Sequence, residues 1–70
     1  MIYVFKTSVS NKKKVRQLKP QLDKICSDAN WNFDLDDCDK ILRIDSPKQI
    51  AETVIKLLKN NGYECVELTD

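Results

Sequence analysis

Two stretches of this chain carry apolar residues at helical spacing, and each makes only one stripe. Val15, Leu18, Leu22 and Ile25 recur every three or four residues, and Ile50, Val54, Leu57 and Leu58 do the same further on. A helix with a single stripe can bury only that side, so both helices must settle on a shared apolar surface. The remaining segments supply it as strands. Residues 2–7 are β-branched and aromatic. Trp31, Phe33 and Leu35 alternate with Asn32, Asp34 and Asp36, the mark of a half-buried strand. Residues 40–45 place Leu42 and Ile44 on one face and Ile41 and Arg43 on the other, and Tyr63 to Leu68 reads as a last strand.

Local signals set the expected boundaries. The first helix spans about 11 to 26, with Ser10 as its cap. Pro20 removes one backbone bond and is expected to kink the helix or split it near Lys19. Asp28-Ala29-Asn30 is a turn, and Asp36-Asp37-Cys38-Asp39 joins two strands as a hairpin. In Ser46-Pro47-Lys48-Gln49, the serine suits the N-cap, the proline the first helical position, and Gln49 completes a capping box. Asn60-Asn61-Gly62 ends the second helix, with Gly62 free to turn left-handed.

No linker, repeat or low-complexity segment interrupts the order βαββαβ, so residues 1–70 are read as one domain. Right-handed crossovers and a central hairpin give an α+β, ferredoxin-like arrangement. It has a four-stranded antiparallel sheet in the order 4-1-3-2 with two helices on one face. The other sheet face then stays open. The first strand is apolar on both sides, Tyr3 and Phe5 against Ile2 and Val4, so the pattern leaves its buried face undecided. Ile2, Val4 and Ile41, with Cys65 as a further possibility, are the candidates for an exposed contact patch that takes a protein partner or a second copy.

Composition narrows the chemistry. A chain of 70 residues has a small core, burying roughly 60% of its unfolded surface. The formal charge of +1 provides no field to gather nucleic acid or an anionic membrane. No apolar run approaches a membrane span, and Met1 leads into a strand-like run without a signal-peptide pattern, so a cytoplasmic location is expected. The chain has three cysteines, Cys26, Cys38 and Cys65, in no Cys-x-x-Cys spacing, and no histidine. An odd number without a secretory signal argues for free thiols. With no His, no Cys beside a base and no paired carboxylates, no catalytic residue is assigned and an enzyme is not expected.

Two charged clusters remain. Lys12, Lys13, Lys14 and Arg16 open the first helix, where free backbone N–H groups add to the attraction for a phosphate or a partner's carboxylate. Asp34, Asp36, Asp37 and Asp39 crowd the hairpin, expected at the same end of the domain. Gly62 is the only glycine, so no phosphate loop exists, and the aspartates lack the spacing of an EF-hand. An RNA-recognition surface needs aromatics on both central strands, and residues 41–44 have none.

Three pieces taken together are suggestive: Ile2 to Val15, the alternation Trp31-Asn32-Phe33-Asp34-Leu35, and Leu57-Leu58-Lys59-Asn60-Asn61-Gly62-Tyr63-Glu64. On them the chain resembles the heavy-metal-associated domain family of small copper chaperones and metal-pump modules. The family's Met-x-Cys-x-x-Cys metal loop corresponds to Val9-Ser10-Asn11-Lys12-Lys13-Lys14-Val15, with Asn11 and Lys14 where the cysteines would fall. The resemblance therefore implies the fold and a degenerate loop without its metal. Cys38 and Cys65 are weak substitutes, since opposite sheet edges lie roughly 14 Å apart while two thiolates on one zinc lie within about 4 Å. The resulting expectation is a non-catalytic protein-interaction module with no cofactor. The alternative is Cu or Zn binding or transfer through these non-standard cysteines.

Overall fold

The computed structural model describes residues 1–36 and 40–68. Its elements run β1 (Ile2–Thr7), α1 (Lys12–Ile25), β2 (Asn30–Asp34), β3 (Ile41–Asp45), α2 (Ala51–Asn60) and β4 (Cys65–Glu67). The architecture is α+β: one antiparallel four-stranded sheet and two helices. The strands lie in the order β2-β3-β1-β4, which is β4-β1-β3-β2 counted from the other edge.

The register decides which face of β1 is buried. Phe5 lies opposite Leu42, and Leu42 opposite Phe33. Tyr3 lies opposite Ile44, and Ile44 opposite Trp31. These two rows cross three strands on one face. Leu18 and Leu22 of α1 and Val54 and Leu58 of α2 pack with them in a single core. Phe5, Leu42, Ile44, Leu22, Val54 and Leu58 are fully buried. Val9, in the connection between β1 and α1, is also fully buried although no periodic pattern marks it. The opposite face, beginning with Ile2 and Val4, belongs to no such cluster.

The helix ends depart from the sequence expectations in three places. Asn11, not Ser10, caps α1: its Oδ1 accepts the Lys14 backbone N–H at 2.9 Å, while Ser10 Oγ accepts from the Lys14 ammonium at 3.2 Å. Pro20 does not split α1, which runs unbroken from Lys12 to Ile25. The proline ring faces solvent, and Leu18 and Leu22 on either side of it are anchored in the core, so burial outweighs the one missing backbone bond.

The third difference is larger. α2 begins at Ala51, with Ile50 as an N-cap that makes no side-chain bond, and the Ser46 capping box does not form. The atoms of the predicted cap are committed elsewhere. The Ser46 N–H donates to the Met1 carbonyl at 2.9 Å, and the Ser46 carbonyl accepts from the Met1 amino group at 3.0 Å. Ser46 Oγ accepts the Lys48 N–H at 3.1 Å, which makes a tight local turn instead of a helix start. The Lys48 carbonyl receives the Tyr3 hydroxyl at 3.3 Å. Residues 46–50 thus link the end of the central β1–β3 pair to the core entry point at Ile50.

The other end of α2 follows the local signal. Gly62 has φ +85°, and its N–H donates to the Lys59 carbonyl at 3.0 Å. The Tyr63 N–H donates to the Leu58 carbonyl at 2.9 Å, completing a Schellman closure. The chain then enters β4 through Ser8, whose N–H donates to the Glu64 carbonyl while its Oγ accepts the Glu64 N–H at 2.8 Å.

Candidate interaction site

Because the helices share one sheet face, the other face presents its side chains without a covering element among the described residues. Alternation along each strand says which residues stand there. β1 contributes Ile2, Val4 and Lys6, and β3 contributes Ile41, Arg43 and Asp45 at the paired positions. β2 contributes Asn30, Asn32 and Asp34. On β4, Val66 pairs with Lys6, and the Leu68 N–H donates to the Val4 carbonyl at 2.8 Å, continuing the ladder by one residue.

This grid divides into halves. Ile2, Val4, Val66 and Leu68 adjoin one another across β1 and β4. Ile2 is 71% exposed, Val66 59% and Leu68 43%, values that place large aliphatic groups in water. The β3–β2 half is polar, and its charges include Arg43 and Asp45. Between them Ile2, Asn30, Arg43 and Asp45 border a shallow, largely apolar hollow of about 240 Å³.

Two expected members of this patch are not available. Ile41 does point to the helix-free side, paired with Lys6 and Asp34, but it is only 5% exposed. Cys65 lies opposite Thr7 on the helix side and is 2% exposed. Strand pairing, which no local pattern reveals, accounts for both. Val66 and Leu68, which the sequence reading passed over, take their place. Alternation about Cys65 was the signal that placed them on one face.

A second feature lies along the opposite edge. A groove of about 350 Å³ runs between α1 and β2. Val15, Trp31, Phe33 and Leu35 give it apolar walls, and Lys12 and Arg16 stand one helical turn apart on its α1 side. Asp34 and Asp36 also border it near the hairpin, so the basic helix start and the acidic strand end do share one end of the domain. No ion pair within 4 Å joins these cations to these carboxylates among the described residues. Trp31 and Phe33 meet edge to face with centroids 6.0 Å apart. The Trp31 indole N–H donates to Asp23 Oδ1 at 3.0 Å, tying β2 to the later part of α1.

The loop positions singled out by resemblance serve the helix start. Asn11 is the cap, and Lys14 bonds Ser10 Oγ with its ammonium 6.0 Å from the Tyr63 ring centroid. Lys13 is exposed beside them.

The cysteines do not converge in the described part. Cys26 is the C-cap of α1 and is 4% exposed. Burial, reinforced by the Asp23 carboxylate, raises its thiol above the ordinary range. Cys65 belongs to edge strand β4, and burial pushes its thiol up to about 11, with Lys59 pulling slightly the other way. Both therefore stay protonated near neutral pH. Cys38, like most of the expected hairpin connection with Asp37 and Asp39, lies outside the described residues. Among the described residues, no group of three or more Cys, Asp or Glu side chains is placed to hold a metal ion. Among the described residues, no helix is long and apolar enough to cross a membrane. Compared with known proteins, the chain matches no family model, no curated protein and no solved structure.

Proposed function

We propose that this chain is a non-catalytic, ferredoxin-like interaction module whose helix-free sheet face associates with a second copy of itself. The observation that carries the reading is the contiguous set of exposed Ile2, Val66 and Leu68 with half-buried Val4, on a face that no element among the described residues covers. Aliphatic groups in that arrangement lose free energy to water that contact with another apolar surface would recover.

Charge supports a copy of the same chain as the occupant. The open face's charged positions are balanced, Lys6 and Arg43 against Asp34 and Asp45. A two-fold interface sets a patch against itself, so a surface of one sign would repel where a mixed one can pair. The likeness to heavy-metal-associated domains is carried as part of this proposal, with Asn11 and Lys14 serving the helix start in place of metal ligands.

Sedimentation equilibrium tests the reading. A concentration-dependent dimer is expected, and Val66→Asp with Leu68→Asp should return it to monomer while the circular dichroism spectrum stays unchanged. A chain that sediments as a monomer up to about 1 mM, where even a −4 kcal/mol association would be visible, sinks it.

A further inference from the structure

We propose that the outer surface of the two helices binds the phosphate backbone of a nucleic-acid duplex, without regard to its base sequence. This surface lies on the opposite side of the sheet from the face assigned to self-association, so either reading can fail without the other.

Charge is the first observation. The formal +1 is the small remainder of a segregated distribution. α1 and α2 together carry eight lysines and arginines and only two carboxylates, Asp23 and Glu52. The rest of the chain carries four lysines and arginines and nine carboxylates. Both helices settle on one side of the sheet, so folding collects the positive excess on one layer. Seven of its eight cations are exposed, and Lys14 is half-buried. Its two carboxylates are already engaged: Glu52 pairs with Lys56 at 3.6 Å, and Asp23 accepts the Trp31 indole N–H at 3.0 Å. Lys13, Lys19, Lys24 and Lys59 have no carboxylate within 4 Å among the described residues. Asp34 and Asp36 border the groove on the β2 side of α1, which Lys13 and Lys24 do not line. Those two lysines lie about three turns apart on one stripe, opposite buried Leu18 and Leu22.

The second observation is what accompanies the cations. An acidic protein or a membrane surface is held through apolar anchors as well as charge. The large exposed apolar side chains are Met1, Ile2, Val66 and Leu68, and none belongs to a helix. The exposed helix positions between the cations include uncharged amides instead. Gln21 and Asn61 bond reciprocally across the two helices at 3.2 and 3.3 Å, which joins their outer surfaces. Lysine, arginine and side-chain amides are the groups that contact phosphate and sugar, and interfaces with nucleic acid are correspondingly polar and positive. Neither helix carries an aromatic residue, so the surface has no ring on which the bases of a single strand could stack. α1 runs unbroken past Pro20 for 14 residues. That is about 21 Å, the axial length of about six base pairs.

The probe is a labelled DNA duplex of about twelve base pairs and arbitrary sequence, followed by fluorescence anisotropy. Saturable binding is expected at about 50 mM salt with a Kd below about 100 μM, falling with salt at a log–log slope of about −3 or steeper. Lys13→Glu with Lys24→Glu should weaken binding about tenfold or more and flatten that slope by about two. Lys6→Glu with Arg43→Glu alters net charge equally on the far face and should cost less than about threefold, because salt screens it through the domain. If either pair unfolds the chain by circular dichroism, the matching glutamine pairs take their place. The proposal is overturned by the absence of saturable binding, by a salt slope near zero, or by equal losses from the two pairs. It is equally overturned if the single strand binds as tightly as the duplex, or if phosphatidylserine vesicles bind more tightly than either.

Discussion

Individual side chains in this small fold often serve two neighbours at once. The Thr7 hydroxyl donates to the Lys40 carbonyl at 2.7 Å and accepts the Val9 N–H at 3.2 Å, at the point where Lys40 itself takes φ +50°. That pair of bonds ends β1, brings the chain into β3 and seats Val9 in the core. Cys65 shows a different residue-level consequence. Its folded thiol, at about 11, holds its proton more tightly than the ordinary value of 9.0 expected once unfolded. The stability this contributes is complete below the unfolded value and disappears as pH rises towards the folded one. The urea midpoint should therefore fall more steeply from about pH 9 to about pH 11 in the unaltered chain than in Cys65→Ala. Equal slopes in the two proteins would show that this thiol contributes nothing to the alkaline limb.

At the level of elements, period was a good guide and boundaries were not. The spacing of Val15, Leu18, Leu22 and Ile25 identified α1, and the alternation through Trp31, Phe33 and Leu35 identified β2, because both depend only on neighbours in sequence. The start of α2 was misread because Ser46 spends its backbone and hydroxyl on Met1 and Lys48, partners that a local capping rule cannot see. The groove was illegible for a related reason. The half-exposure of Trp31 and Phe33 follows from β2 being an edge strand and from where α1 comes to rest, not from their own pattern. Pro20 offers a direct test of element energetics. It sits exposed inside α1, where proline is roughly 3 kcal/mol less favourable than alanine, partly offset by the ~0.4–1 kcal/mol it removes from unfolded-chain entropy. Pro20→Ala is expected to stabilise the domain by about 2–2.6 kcal/mol, read as a higher urea midpoint with an unchanged slope. A lower midpoint would mean that α1 needs the local geometry that proline imposes.

The whole molecule is a two-layer object that finishes only one of its two broad surfaces. Helices cover the central strands on one side of the sheet, as the fully buried Phe5, Leu42 and Ile44 attest, while Ile2, Val66 and Leu68 stand in water on the other. The two sheet edges are equally unequal: β4 is three residues long with exposed Val66, whereas β2 is longer, aromatic and flanked by cations. One domain thus presents two chemically distinct edges. The unfinished surface also carries a thermal signature. If native chains take one another out of solution and unfolded chains do not, mass action couples heat resistance to dose. The melting temperature should climb with each tenfold increase in protein, and charge placed at Val66 should make it indifferent to how much protein is in the tube.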